Sequence, residues 1–171
     1  MKRPLENVRR PLYVENLVKA KGLQHAQATA GGHLCCIASV GWQLVLALDP
    51  APGHSCRGVA LRVEDGHEAE TLSGLREREL VSSAYLEAVV DITLSNGHQV
   101  TALTYIVDQD HVQYCGGMEL EKQATIIAQA TGGRGDNTEY LWNTSRHLEQ
   151  LGIDDPELRW LDRRVRALKQ S

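Results

Sequence analysis

The chain has 171 residues, enough for one domain with a sizeable core. Its formal net charge of −4, from 18 Lys and Arg against 22 Asp and Glu, argues against a nucleic-acid partner. No apolar run approaches the roughly 20 residues that span a bilayer, and no apolar stretch follows the basic start "MKRPLENVRR", so a cytoplasmic protein with no membrane partner is expected.

The first 42 residues carry little pattern. Residues 12–23 are expected at most to form a weak helix around Leu17 and Ala20. "HAQATAGGHLCCIASVGW" (25–42) shows neither a period of 2 nor one of 3.6. His33, Cys35 and Cys36 match no standard metal-ligand spacing, and the four cysteines form no Cys-x-x-Cys pair. The expected organisation is an atypical, poorly ordered segment over 1–42 and a domain over 43–171.

From residue 43 the patterning is clean. "QLVLALD" (43–49) reads as a buried strand, "DPAPGHS" as a loop and "GVALRV" (58–63) as a second strand. "DGHE" (65–68) has the Asp-x-x-Glu spacing of a capping box and predicts a helix start. "YLEAVVDITL" (85–94) alternates, with Leu86, Ala88, Val90, Ile92 and Leu94 on one face. Asn96–Gly97 predicts a hairpin turn, and "VTALTYIV" (100–107) the returning strand. Three helices follow, over "ELEKQATIIAQAT" (119–131), from a second Asp-x-x-Glu box at Asp136–Glu139 to Gly152, and from Asp155–Pro156 with Leu158, Leu161, Val165 and Leu168 in register. "GGRGDN" (132–137) reads as a helix stop, a turn and an N-cap. "RWLDRRVR" (159–166) reads as an exposed helix face, with Trp160 in packing. Strands first and helices last predict an α+β fold, with a small antiparallel sheet curled toward an open barrel and C-terminal helices.

"LREREL" (75–80) holds two glutamates that the helical period separates. Leu72, Leu75 and Glu79 share one face, at spacings of three and four, while Glu77 points to solvent. A carboxylate on an apolar stripe has a raised pKa and can exchange a proton near neutral pH. The competing reading has the helix fray before Glu79, which then pairs with Arg76 or another neighbour at the surface.

"SCRGVA", the Arg-Glu before the central hairpin, "DHVQY", and "NTEYL" followed by "NT" occur in an order that resembles the ChaC family, the glutathione-specific γ-glutamylcyclotransferases, over roughly residues 44–168. The resemblance implies a general acid/base at Glu79, so it selects the carboxylate that the helical period also selects. It implies intramolecular aminolysis of glutathione to 5-oxoproline and cysteinylglycine, with no metal or organic cofactor. Asn137 and Tyr140 fall in a family block, which makes them candidates to border the substrate; Tyr140 also lies on its helix's apolar stripe, so a core role stays open. The resemblance says nothing of oligomeric state.

The family's opening strand and Tyr-Gly-Ser-Leu loop have no counterpart before Leu44. The nearest string is "YVENL" (13–17), with Val14 and Glu15 where backbone must approach a carboxylate. A displaced or frameshifted start, or divergence, would leave such a seam. If residues 1–42 supply no strand, the sheet is expected to lack a member and expose an edge. The rival reading is a non-catalytic binding protein on the same scaffold.

Overall fold

The structure, a computed structural model, describes residues 12–15, 24–31, 33–38, 43–51, 54–133 and 135–170, the first three stretches by their backbone. In chain order the strands are β1 (Leu12–Glu15), β2 (Gln24–Gly31), β3 (His33–Ala38), β4 (Leu44–Asp49) and β5 (Ser55–Arg62). Helix α1 (Glu68–Glu79) follows, then β6 (Tyr85–Leu94), β7 (Gln99–Val107), α2 (Leu120–Gln129), β8 (Thr131–Gly132), β9 (Gly135–Asp136), α3 (Asn137–Gln150) and α4 (Pro156–Gln170). These residues gather into two compact units. The first takes the described residues of Met1–His33 and Leu48–Asp108, the second those of Leu34–Ala47 and Gln109–Ser171.

In the first unit the strands lie in the order β1-β5-β2-β6-β7. The sheet is mixed, which corrects the antiparallel expectation. β1 runs parallel to β7, with Leu12 opposite Ala102, and β4 also runs parallel to β7, with Leu48 opposite Ile106. Each of these partners is separated by a long stretch of chain, which allows the crossover that parallel pairing needs. β1 also pairs antiparallel with β5, so this short strand curls the sheet round toward β7.

The weak helix expected over 12–23 is corrected at its start. Residues 12–15 are extended because β5 and β7 offer backbone partners on both sides, and Tyr13 and Val14 suit a strand. Leu17 and Ala20 lie outside the described residues. β2 also enters the sheet, antiparallel to β5 along its whole length and to β6 over three residues. Its alternation was present as Ala26, Ala28 and Ala30, but alanine carries a weak hydrophobic signal. In the register Ala26 stands opposite Ala60, and Ala28 opposite Gly58. The expected missing member of the sheet is therefore corrected too: the segment before Leu44 supplies strands.

The central hairpin forms between β6 and β7, in a register the turn residues alone did not dictate. Thr93 faces Gln99 and Ile92 faces Val100, so the loop holds Ser95, Asn96 and Gly97, not Asn96–Gly97 alone. Gly97 takes the left-handed conformation at φ +83, which closes a three-residue loop. The extra residue matters because a one-residue slip would turn the opposite face of β7 inward. In the observed register Ala60, Ile92 and Ala102 are buried together, with Val90, Leu94 and Val100 packed on them. Leu86, expected on the inward face, is 49 % exposed. Burial here follows the neighbours each position has, and the core cluster gathers at the turn-ward half of the hairpin.

In the second unit β3 lies beside β4, and α2, α3 and α4 pack pairwise. Ala124 and Ile127 of α2, Leu141 and Leu148 of α3, and Leu158, Leu161 and Val165 of α4 are buried. The predicted stripe of α4 is thus its core face. α2 ends at Gln129, before the glycines, because Thr131–Gly132 pairs with Gly135–Asp136 as a two-residue ladder. Arg134 of "GGRGDN" lies outside the described residues. The charges of α4 are largely engaged: Arg164 grips Glu121 of α2, and Arg166 pairs with Asp162 and sits 4.8 Å over the Trp142 ring.

The capping boxes did not form as read. Asp65 pairs with Arg62, and Glu68 accepts from the Gly66 N–H, so α1 begins without a side-chain cap. Asp136 precedes α3 but accepts from the Thr131 hydroxyl at 2.7 Å. The Asp155 carboxylate does cap, taking the Leu158 N–H at 2.9 Å.

Candidate functional site

α1 forms from good helix formers, with Glu68 and Glu70 in its first turn and Arg76 and Arg78 in its last, each matching the helix dipole. None of its residues is buried. Leu72 and Leu75 are half-buried, so the stripe exists but is shallow. Glu79 is the last helical residue, and its side chain is 28 % exposed. Glu77 is exposed and accepts from the Ser73 hydroxyl at 3.3 Å. The helical period therefore separated the two carboxylates correctly in exposure. It did not foresee the partner: Arg78 Nε donates to Glu79 Oε1 at 2.7 Å. The helix reaches Glu79 without fraying, so the helix and the neighbouring ion pair, set against each other in the sequence reading, coexist.

One turn before Glu79, Arg76 reaches across to β6. Its Nε donates to Glu87 Oε2 at 2.7 Å and its Nη2 to Oε1 at 2.9 Å. The Tyr105 hydroxyl donates to the same carboxylate at 3.3 Å. Glu87 is 19 % exposed, and the Arg76 guanidinium holds its carboxyl below the ordinary carboxylate range. Sequence reasoning missed this group. The hairpin register was the signal that could have found it, because the three-residue loop makes Glu87 and Tyr105 cross-strand partners.

Asn137 and Tyr140 belong to the second unit, where both serve β4. Asn137 is almost wholly buried at the start of α3. Its Oδ1 accepts the Leu44 N–H and its Nδ2 donates to the Leu44 carbonyl, each at 2.8 Å. This is the pairing a neighbouring strand would have offered. The Tyr140 hydroxyl oxygen accepts the Leu46 N–H at 3.1 Å, and the ring stays 39 % exposed. Gln43 completes the set, donating to the Gly135 carbonyl at 2.8 Å. Backbone groups of Leu44 and Leu46 at the start of β4 are thus bonded by the first turn of α3, and a shallow apolar pocket opens there among Leu44, Leu46, Ile127, Tyr140 and Leu161.

Trp160 is 40 % exposed, so the packing role expected of it holds for part of the ring. His33, Cys35 and Cys36 lie in β3, of which the backbone is described. Among the described residues, no helix is long and apolar enough to cross a membrane.

The family model of ChaC-like proteins matches residues 39–168. The chain belongs to the ChaC-like family. The match begins just after β3 and contains Glu79, Asn137 and Tyr140. This ChaC-like chain is 31 % identical over 106 residues to the glutathione-specific gamma-glutamylcyclotransferase of Escherichia coli (strain K12), over 62 % of this chain and 46 % of that protein. It is 35 % identical over 105 residues to glutathione-specific gamma-glutamylcyclotransferase 1 of Danio rerio, over 59 % of this chain and 54 % of that one. The chain thus spans about half the length of these two relatives. Its fold is that of the yeast gamma-glutamyl cyclotransferase specific to glutathione, with a TM-score of 0.76 at 17 % identity, over 94 % of this chain and 99 % of that one.

Proposed function

We propose that this ChaC-like chain is a cytoplasmic γ-glutamylcyclotransferase that cleaves glutathione, with Glu79 as its proton shuttle. The observation that carries the reading is the half-buried carboxylate at the end of α1, inside the range that matches the family, while the neighbouring Glu77 is exposed. The names of the relatives supply the substrate class.

The Glu79 carboxylate takes a proton from the α-ammonium group of the γ-glutamyl moiety. The freed amine attacks the γ-carbonyl carbon, a C–N bond forms, and a five-membered ring closes. The amide bond to cysteine then breaks; the proton held by Glu79 and the second proton of the attacking nitrogen both pass to the departing nitrogen, which leaves as an ammonium while the lactam keeps one N–H. The products are 5-oxoproline and cysteinylglycine. Attacker and target share one molecule, so positioning supplies much of the rate. The Arg78 guanidinium must give way as the ammonium arrives, since both seek the same carboxylate. Asn137 and Tyr140 are candidate substrate-border residues in this reading because they fall in a block shared with the family.

A second reading, a binding protein without turnover, is favoured by the absence of a Tyr-Gly-Ser-Leu run before Leu44. One experiment separates the two. Cysteinylglycine and 5-oxoproline release from glutathione is followed for the full chain, for Glu79→Gln and for Glu77→Gln. Loss of a positioned general base costs about a hundredfold to ten-thousandfold in rate, so Glu79→Gln is expected to abolish turnover and Glu77→Gln to leave it nearly unchanged. Equal rates in the two variants would remove Glu79 from the chemistry. Glutathione binding by calorimetry without any turnover in the parent chain would establish the second reading.

A further inference from the structure

The last turn of α1 carries Glu79, and packing there is shallow: no residue of α1 is fully buried, and Leu75 and Leu80 are half-buried. Arg78, which donates to Glu79 Oε1, lies on the same helix. Arg76 reaches from this turn to the β6–β7 hairpin, forking onto both oxygens of Glu87, and the Tyr105 hydroxyl donates to Oε2. A two-point guanidinium–carboxylate fork fixes orientation as well as distance. Glu87 and Tyr105 stand opposite each other on paired strands, so the acceptor is itself braced. The other end of α1 offers a contrast. There Arg62 meets Asp65 at a single contact of 3.2 Å between two exposed side chains. The Leu80 N–H donates to the Arg76 carbonyl at 3.0 Å and closes the turn in which Glu79 lies.

We propose that Arg76, Glu87 and Tyr105 form a clasp that fixes the last turn of α1 on the hairpin and thereby positions the Glu79 carboxylate. The three are positioning residues. Their catalytic consequence rests on the reading of Glu79 as proton shuttle, whereas the fixing of the turn does not. The guanidinium keeps Glu87 ionised down to acid pH, so the clasp stays charged at neutral pH.

The test uses the full chain with Glu87→Gln, Tyr105→Phe and Arg76→Lys, and Asp65→Asn as a control at the other end of the helix. Two quantities are read: amide hydrogen exchange at Leu80, and kcat and KM for 5-oxoproline release from glutathione. A displacement of about 1 Å costs on the order of a hundredfold in rate. Glu87→Gln is therefore expected to lower kcat by about tenfold to a hundredfold, with KM within about twofold, and to speed exchange at Leu80. Arg76→Lys keeps the charge but not the fork and should fall between parent and Glu87→Gln. Tyr105→Phe removes one hydroxyl and tests the clasp should Glu87→Gln fail to fold. Asp65→Asn should change neither quantity. Unchanged exchange and kcat in Glu87→Gln and Tyr105→Phe would overturn the clasp, and faster exchange with unchanged kcat would overturn its positioning role. Faster exchange in Glu87→Gln than in the parent, with no 5-oxoproline released by the parent, would support the fixing of the turn and bring down the proposed reaction instead.

Discussion

Asn137 shows how one side chain can bond a strand's backbone as a peptide group would. Its amide presents a donor and an acceptor side by side, as a peptide group does, and both go to Leu44. Removing it leaves a buried N–H and a buried C=O without their partner, at about 1–3 kcal/mol for each orphaned group. Asn137→Ala is therefore expected to lower the melting temperature by several degrees in a thermal melt followed by circular dichroism. Tyr140→Phe withdraws one acceptor, from the Leu46 N–H at a more open site, and should cost about 1 kcal/mol. A changed KM with an unchanged melt in Asn137→Ala would instead make the residue a substrate contact. Glu79 presents the converse case at this scale. Its degree of burial was legible from the helical period, but its Arg78 partner was not, because adjacent residues on a helix do not ordinarily face each other.

Among the helices, three aspartate-led starts looked alike in sequence and diverge in structure. Asp155 caps α4, Asp136 turns back to Thr131 within the β8–β9 ladder, and Asp65 pairs with Arg62. Loss of an N-cap costs about 1 kcal/mol. Asp155→Ala should accordingly reduce stability to urea by about that amount, and Asp65→Ala by clearly less, since its ion pair is exposed. Equal losses in the two would mean that the Asp155 bond to Leu158 is not what starts α4. The hairpin carries a related lesson. Asn-Gly correctly announced a turn, but Ser95 joined the loop, and that one residue set which faces of β6 and β7 meet.

For the whole molecule, the ion pairs make stability depend on pH. Glu87, held by Arg76, and Glu121, held by Arg164, both titrate below their ordinary value of 4.5. A carboxyl lowered in the folded state stabilises the fold above its unfolded pKa, and that contribution fades as pH falls through the folded value. Stability in urea should therefore be flat through neutral pH and decline below about 4.5. Glu87→Gln should show a shallower acid decline than the parent, because one linked proton is removed. Glu121 is exposed, so Glu121→Gln should alter the acid limb little, and less still at high salt. An acid limb of equal slope in Glu87→Gln and parent would remove Glu87 from this linkage.

The sequence by itself determined the elements whose signal is local. The periods of α3 and α4, the alternation of β6, the punctuation at Gly97 and Gly152, and the difference in exposure between Glu79 and Glu77 each rest on a signal that spans a few residues. The ordered blocks of "SCRGVA", "DHVQY" and "NTEYL" also carried the family. Tertiary structure alone decided what depends on a partner far along the chain. β1 and β2 are strands because β5, β6 and β7 offer backbone partners to segments with weak patterns of their own. Asn137 faces Leu44 across 93 residues, and Arg76 reaches Glu87 from another element. Local periodicity records which face of an element is apolar. It holds no record of which polar group will stand opposite, and in this chain those pairings complete β4 and hold the turn that carries Glu79.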